Sequence, residues 1–239
     1  MAPGGVIVQQ KPGLSAMLRV PLDGGPPEVI EPETEFSDCL WTTLFGRPGV
    51  LVVHRYSQVR FYEPKPSKWA YQEVYSIYTA SRQGGLVETE VDGDGLPDFF
   101  VGNYWMKSPA AFDLPWRIFA INLYHETEMA ALARLAPFRG RDLIWAERTG
   151  RRVTWFERPP NVREQWIAHP LDVNLDHVNG LAVDGESVYL GDNRRVVVWR
   201  EGEVTELATG FTTLRLIFTG GKLWAITPSG VRRIPQRRK

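Results

Sequence analysis

The residues best suited to chemistry lie in one short stretch, residues 90–98, which reads Glu-Val-Asp-Gly-Asp-Gly-Leu-Pro-Asp. Four carboxylates fall at positions 1, 3, 5 and 9 of this stretch: Glu90, Asp92, Asp94 and Asp98. Calcium binds six to eight oxygen atoms at roughly 2.3–2.6 Å, and alternate residues of a tightly wound loop can direct their carboxylates to one point. Gly95 permits the sharp turn, and the carbonyl of Leu96 would supply a further oxygen. The spacing therefore predicts a loop that binds a structural Ca²⁺ ion.

The residues around this loop carry a family resemblance. The spacing resembles the start of an EF-hand loop, but Val101 stands where that loop has its final Glu, and the flanks read as strands. Residues 91–102, Val-Asp-Gly-Asp-Gly-Leu-Pro-Asp-Phe-Phe-Val-Gly, resemble an FG-GAP or VCBS-type repeat, as in the integrin α-subunit propeller. That resemblance implies a β-propeller, usually with an adhesion or binding role, and calcium held between the first two strands of a blade.

The resemblance also implies a ligand set. Its members are Glu90, Asp92, Asp94, the Leu96 carbonyl and Asp98. Glu90 departs from the family, which usually has Asp at this position. The alternative interpretation is an acidic Asp-Gly-Asp-Gly turn that only caps a hairpin.

The elements that must position this loop recur along the chain. Trp105-Met-Lys-Ser-Pro is followed by Trp116, and Trp155-Phe-Glu-Arg-Pro is followed by Trp166 at the same spacing. A shorter copy at Phe61-Tyr-Glu-Pro is followed by Trp69, so these second tryptophans are 47 and 50 residues apart. Sequence motifs that recur about every 35 to 50 residues, as these aromatic motifs do, are typical of propeller blades and of some helical arrays.

The hydrophobic pattern between the marks favours strands over helices. Short runs rich in Val, Ile, Phe, Tyr and Trp, such as residues 50–56 and 187–191, are each followed by a second and a third run. Three to four antiparallel strands per repeat predict an all-β propeller blade. We expect residues 126–136 to form an innermost strand, with a helix as the alternative because the segment is rich in helix formers.

The repeat count predicts one propeller domain over residues 1–239. Middle strands near residues 18, 61, 105, 155, 198 and 233 favour six blades. The first unit lacks its inner strand and the last lacks its outer strand, and merging them would leave five. Residues 232–239 form a basic C-terminal tail that we expect to be flexible.

Composition excludes several classes of protein. The 239 residues carry 28 basic and 28 acidic side chains, and this balance argues against a nucleic-acid partner. The single cysteine, Cys39, allows no internal disulfide and is expected to be a small core residue. With neither a signal peptide nor a run of about 18 apolar residues, we expect a soluble cytoplasmic protein without a membrane partner. The alternative is a secreted protein whose leader is absent from this sequence.

A second polar segment supports an alternative function. Residues 172–179 place possible ligands at Asp172, Asn174, Asp176, His177 and Asn179. Residues 179–197 resemble NHL and SMP-30-like propeller repeats, a resemblance that implies a metal-dependent lactonase or esterase. The four histidines show no metal-ligand spacing and are expected to be strand or loop residues: His54, His125, His169 and His177.

The function that the sequence favours is non-catalytic. We expect a binding or scaffold propeller that presents one face to a protein or glycan partner, because no hydrolase or phosphate-binding motif is present. The alternative is a propeller hydrolase, either lactonase- or esterase-like or a glycosidase with paired carboxylates.

Overall fold

Strands form where Val, Ile, Phe, Tyr and Trp are concentrated, and each strand pairs antiparallel with its chain neighbour in the same sheet. The computed structural model describes residues 5–54, 58–65, 68–76, 84–122, 133–148 and 151–236. Across these ranges the ordered elements are strands, and no helix is long and apolar enough to cross a membrane.

Six sheets follow one another along the chain, and we number them blades 1 to 6. Blade 1 contains β1 (Gly5–Gln9), β2 (Ser15–Pro21) and β3 (Glu28–Thr34). Blade 2 contains β4 (Phe36–Leu44), β5 (Arg47–His54), β6 (Gln58–Pro64) and β7 (Trp69–Ser76). Blade 3 contains β8 (Leu86–Thr89), β9 (Asp98–Val101), β10 (Tyr104–Lys107) and β11 (Arg117–Ala120).

The second half of the chain has the same pattern. Blade 4 contains β12 (Ala133–Phe138), β13 (Asp142–Glu147), β14 (Val153–Glu157) and β15 (Ile167–Pro170). Blade 5 contains β16 (Gly180–Asp184), β17 (Ser187–Gly191), β18 (Arg195–Arg200) and β19 (Glu203–Thr209). Blade 6 contains β20 (Arg215–Thr219), β21 (Lys222–Thr227) and β22 (Gly230–Ile234).

This architecture is a six-bladed β-propeller, and it confirms the predicted fold class. The first and last units form separate three-stranded sheets, so the five-blade alternative is wrong. Residues 133–136 begin β12, the first strand of blade 4, as expected of an innermost strand. The rest of that expected strand, residues 126–132, lies outside the described residues, as does His125.

The repeated aromatic marks occupy equivalent places in successive blades. Trp105 and Trp155 lie in the third strands, β10 and β14. Trp69 begins the fourth strand β7, and Trp116 and Trp166 directly precede the fourth strands β11 and β15. Trp105, Trp116 and Trp166 are buried, so the repeat spacing reflects tryptophans that pack each blade.

The second strands explain the continuous apolar runs of the sequence. All residues of β9 and β17 are buried, as is the run from Gly49 to His54 in β5. A strand that is covered on both faces has no polar side to present, so its apolar and polar residues do not alternate. Cys39 lies in β4 and is half-buried.

The chain divides into two compact units, Met1–Phe119 and Ala120–Lys239, and each holds three blades. In the first unit, Met17, Ile30 and Val50 belong to one buried cluster, and the first strands β4 and β8 are in contact. In the second unit, β16 contacts both β12 and β20. Its apolar side chains pack into two further clusters, one around Leu190 and one around Leu223.

Candidate functional site

The acidic loop connects the first two strands of blade 3, β8 and β9, where the family resemblance places it. Gly93 and Gly95 adopt φ angles of 87° and 82°. Only glycine takes up this left-handed backbone at little cost, so the Asp-Gly-Asp-Gly sequence allows the chain to wind tightly between the strands. The winding brings carboxylates from both ends of the loop together.

Three of the five predicted ligands converge. Glu90, Asp92 and Asp98 each offer a carboxylate oxygen within 4.8 Å of the others. Two ligands on opposite sides of a calcium ion, each at roughly 2.3–2.6 Å, are separated by about this distance. Oδ1 of Asp92 is buried and has no hydrogen-bond partner among the described residues. The all-oxygen donor set and this unpartnered oxygen fit a calcium ion.

A lysine that no sequence motif marks as part of the site contacts the other side of the loop. Nζ of Lys107, at the end of β10, lies 2.5 Å from Oδ2 of Asp92 and also contacts Oδ2 of Asp94. Asp94 therefore faces Lys107, and its Oδ1 accepts a hydrogen bond of 2.9 Å from the backbone N–H of Leu96.

The lysine and the loop carboxylates shift one another's proton affinity. The hydrogen bond from Lys107 holds the pKa of Asp94 below its usual value. Burial acts to lower the pKa of Lys107, but its hydrogen bonds to Asp92 and Asp94 outweigh this effect and raise that pKa. The ammonium group is thus held in its charged form beside the carboxylate cluster.

Asp98 also has a structural role in the blade. Its Oδ1 accepts a hydrogen bond from the backbone N–H of Ser108 at 3.0 Å, and its Oδ2 accepts one from Val91 at 3.2 Å. Burial, with a smaller contribution from the charge of Asp92, raises the pKa of Asp98 to about 6 against the effect of these two hydrogen bonds. Full burial of this carboxyl group is therefore unfavourable for its charged form.

The same structural role recurs in blade 4, where no acidic loop is present. Asp142 begins β13 as Asp98 begins β9, and it accepts a hydrogen bond of 3.0 Å from the backbone N–H of Arg158. Its other oxygen accepts one of 2.8 Å from Nε1 of Trp155. An aspartate at this position thus connects the second and third strands of a blade, whether or not the loop before it is acidic.

A shallow cavity of about 390 Å³ opens beside the loop. Asp94, Leu96, Lys107 and Leu114 are among the residues that line it. The cavity provides a route by which solvent and ions reach the Lys107 side of the loop.

The second predicted cluster does not converge. Leu171, Val173 and Leu175 are buried in the core of the second unit, and the polar residues between them point outward. Asp176 pairs with Arg151 at 3.5 Å and Arg194 at 3.8 Å. Within the described ranges, the carboxylate and imidazole groups of residues 172–177 form no cluster that could hold a metal ion.

The structure also contains a buried polar network that the sequence did not predict. Nδ1 of His54 lies 2.7 Å from Oγ1 of Thr34, and its Nε2 lies 3.0 Å from the hydroxyl of Tyr62. That hydroxyl donates to Oε2 of Glu31 at 3.2 Å, so the network joins blades 1 and 2. Burial, together with the charge of Arg60, lowers the pKa of His54 to about 3. A neutral imidazole at this position connects two blades, and no sequence motif marks it.

Comparisons with known proteins agree with the fold. No protein-family model and no curated protein matches the chain. Among solved structures, YCF48 from Cyanidioschyzon merolae is 14% identical with a TM-score of 0.59, over 95% of this chain and 78% of that one. BamB from Moraxella catarrhalis is 14% identical with a TM-score of 0.55, over 98% and 67% of the two chains.

A third similar structure is described as an enzyme. It is a putative 6-phosphogluconolactonase from Bacteroides uniformis, 13% identical with a TM-score of 0.57, over 90% of this chain and 71% of that one. At these identities the likeness shows the fold alone. The FG-GAP, VCBS and NHL resemblances remain hypotheses, because no family model matches.

Proposed function

We propose that this propeller is a non-catalytic binding scaffold, and that the loop at residues 90–98 holds a structural calcium ion. The observation that carries the calcium proposal is the convergence of Glu90, Asp92 and Asp98 around a buried, unpartnered oxygen of Asp92. The resemblance of residues 91–102 to an FG-GAP or VCBS repeat supports the same ligands.

The charge balance of the loop favours a divalent ion. Glu90, Asp92, Asp94 and Asp98 bring four carboxyl groups to the loop. The ammonium of Lys107 contacts two of them and neutralises a single charge. A bound calcium ion would supply two further positive charges.

Lys107 and calcium would compete for this loop. The carboxylate oxygens of Glu90, Asp92 and Asp98 would hold the ion, and Lys107 would give up its contact with Asp92 and retain Asp94. In this proposal the lysine keeps the loop ordered when calcium is scarce, and the loop still connects β8 and β9.

The experiment is thermal unfolding of the EDTA-treated protein across a calcium titration. Calcium about 100-fold above its dissociation constant should stabilise the fold by about 2.7 kcal/mol, because it binds the folded state. For a domain of this size that raises Tm by about 5 to 10 °C. Asp92→Asn should abolish the shift.

The lysine supplies the sharper test. Lys107→Gln removes the competing ammonium, so its half-maximal shift should need roughly fivefold less calcium, equivalent to about 1 kcal/mol for one partly buried ion pair. The matched control is Lys222→Gln at the start of β21, which should respond as the wild type does. If neither wild type nor Lys107→Gln responds to calcium, the loop is only a salt-bridged hairpin turn.

The geometry does not favour the hydrolase alternative. A metal-dependent lactonase or esterase at residues 172–179 would need convergent ligands. The described carboxylate and imidazole groups there do not converge, and Asp176 is engaged by two arginines.

A further inference from the structure

Within the described residues, blade 6 has three strands, and β22 is its outer strand. Blades 2 to 5 each have a fourth strand outside the third. No described strand pairs with the outer edge of β22. Alternate backbone N–H and C=O groups of an edge strand point away from the sheet and can pair with an added strand.

A groove lies where the missing strand would pack. In the first unit, the outer strands β3 and β7 of neighbouring blades contact each other, so a strand added to β22 would lie next to β19. A cavity of about 380 Å³ occupies this part of the second unit. Val198, Leu207 and Tyr189 of blade 5 contribute to its lining, together with Gln236, which follows β22.

The ends of the groove are defined by polar residues. Nε2 of Gln236 donates a hydrogen bond of 3.2 Å to the hydroxyl of Tyr189, so the segment after β22 lies against blade 5. Arg200, Glu201 and Glu203 line the cavity near the turn between β18 and β19. Because two of these three side chains are acidic, this end of the groove disfavours an acidic side chain on the ligand.

The edge strand itself is basic. Arg232 and Arg233 are consecutive in β22, so their side chains project to opposite faces of the sheet. The guanidinium of Arg232 lies 4.6 Å from the centroid of the Phe211 ring, whereas Arg233 forms no ion pair with any described residue. Val231 is 67% exposed. A basic edge with an exposed valine suits a strand that alternates apolar and acidic residues.

The same charges argue against a second copy of this chain. Two β22 strands that paired antiparallel would bring four arginine side chains close together, and like charges on facing positions are destabilising. Charged residues on an edge strand are a common protection against such self-association. The charge of the edge thus favours an acidic partner over another copy.

We propose that the outer edge of β22 binds an extended acidic segment of a partner protein as the fourth strand of blade 6. Apolar side chains of the segment enter the groove beside Val198 and Leu207. Its acidic side chains lie on the opposite face of the added strand, next to Arg233. The inference names the partner class for the proposed scaffold role and rests on that role, but it does not depend on the calcium loop.

The test uses synthetic peptides of about ten residues and fluorescence anisotropy. A peptide that alternates valine and glutamate should bind the wild-type protein. A peptide of the same composition, with its valines and glutamates in separate blocks, should bind about tenfold more weakly, because it cannot present one apolar face. Methylation of alternate backbone nitrogens should also abolish binding, since it blocks strand pairing.

A second set of experiments uses variants that reverse the positive charge of the β22 edge. The double variant Arg232→Glu/Arg233→Glu should lose about tenfold in affinity for the valine–glutamate peptide and gain affinity for a valine–lysine peptide. Arg215→Glu, an exposed change in β20 of the same blade, is the matched control and should bind as the wild type does. The single variant Arg233→Gln changes a side chain that pairs with no acidic group in the part of the chain that the structure describes, and it repeats the test if the double variant unfolds.

Four results would overturn the inference. Three are equal affinity for the alternating and block peptides, equal loss of affinity in the Arg215→Glu control and the edge variants, and concentration-dependent dimerisation that the alternating peptide does not disrupt. The fourth is peptide binding that persists in the edge variants, which would place the binding site elsewhere and leave the scaffold role intact. Absence of a calcium response would refute the calcium loop alone.

Discussion

The buried His54 predicts how the stability of this protein depends on pH. The pKa of His54 is about 3 in the folded protein, against an ordinary value of 6.5. The folded state therefore keeps this imidazole neutral, while the unfolded chain takes up a proton as the pH falls. Stability from this residue is complete above pH 6.5 and is lost progressively as the pH falls from 6.5 toward 3.

The magnitude follows from the size of this shift. Each pH unit within that window removes about 1.4 kcal/mol from the free energy of unfolding, so the loss between pH 7 and pH 5 is about 2 kcal/mol. Asp98 acts in the opposite direction, because its pKa is raised to about 6 in the folded protein. It stabilises the fold by about 1 kcal/mol over the same interval, and the net change in the wild-type protein is therefore small.

The assay is urea unfolding at pH 7 and pH 5 for the wild type and His54→Gln. The variant loses the histidine contribution but keeps that of Asp98. It should therefore become more stable on acidification, by about 2 kcal/mol relative to the wild type. His177→Gln removes an exposed histidine and is the control, which should follow the wild type. If the wild type and His54→Gln change equally between the two pH values, the reasoning about the buried imidazole is wrong.

Two further predictions concern the blades. A Cβ at Gly49 would lie 2.4 Å from the carbonyl oxygen of Tyr62. Gly49→Ala should therefore lower the free energy of unfolding, measured in urea, by about 1–3 kcal/mol. An unchanged urea midpoint would contradict this close approach. Asp142→Ala removes the hydrogen-bond acceptor for Arg158 and Trp155. It should lower the free energy of unfolding by about 1–3 kcal/mol and change the tryptophan fluorescence. Stability equal to that of the wild type would show that this aspartate does not anchor the hairpin.

Much of the fold could be predicted because its signals are local. A strand that is buried on both faces has to be apolar along its length, as β9 and β17 are. The tryptophans recur because blades 2, 3 and 4 repeat the same packing position. The regular spacing of the middle strands predicted the six blades. The tight loop at residues 90–98 was also predictable, since Gly93 and Gly95 permit left-handed turns that other residues disfavour.

The candidate site was only partly predictable. The sequence marked every carboxylate of the loop, but it could not show that Asp94 stays outside the group formed by the other three and contacts Lys107 instead. Lys107 is 13 residues further along the chain, and it reaches the loop because β9 and β10 pair as a hairpin in one register. In the same register, Asp98 accepts a hydrogen bond from the backbone N–H of Ser108. Asp98 therefore connects two strands and is also a candidate ligand.

The amino-acid sequence by itself determined the strand composition, the blade repeat and the acidic turn, because each depends on neighbouring residues or on a regular spacing. Only the tertiary structure decided the environment of individual side chains. The network that joins His54 to Thr34 and Tyr62 spans two blades, and the groove beside β22 lies between two others. Such contacts depend on how separate sheets pack. Packing brings together residues whose separation along the chain does not predict that they meet.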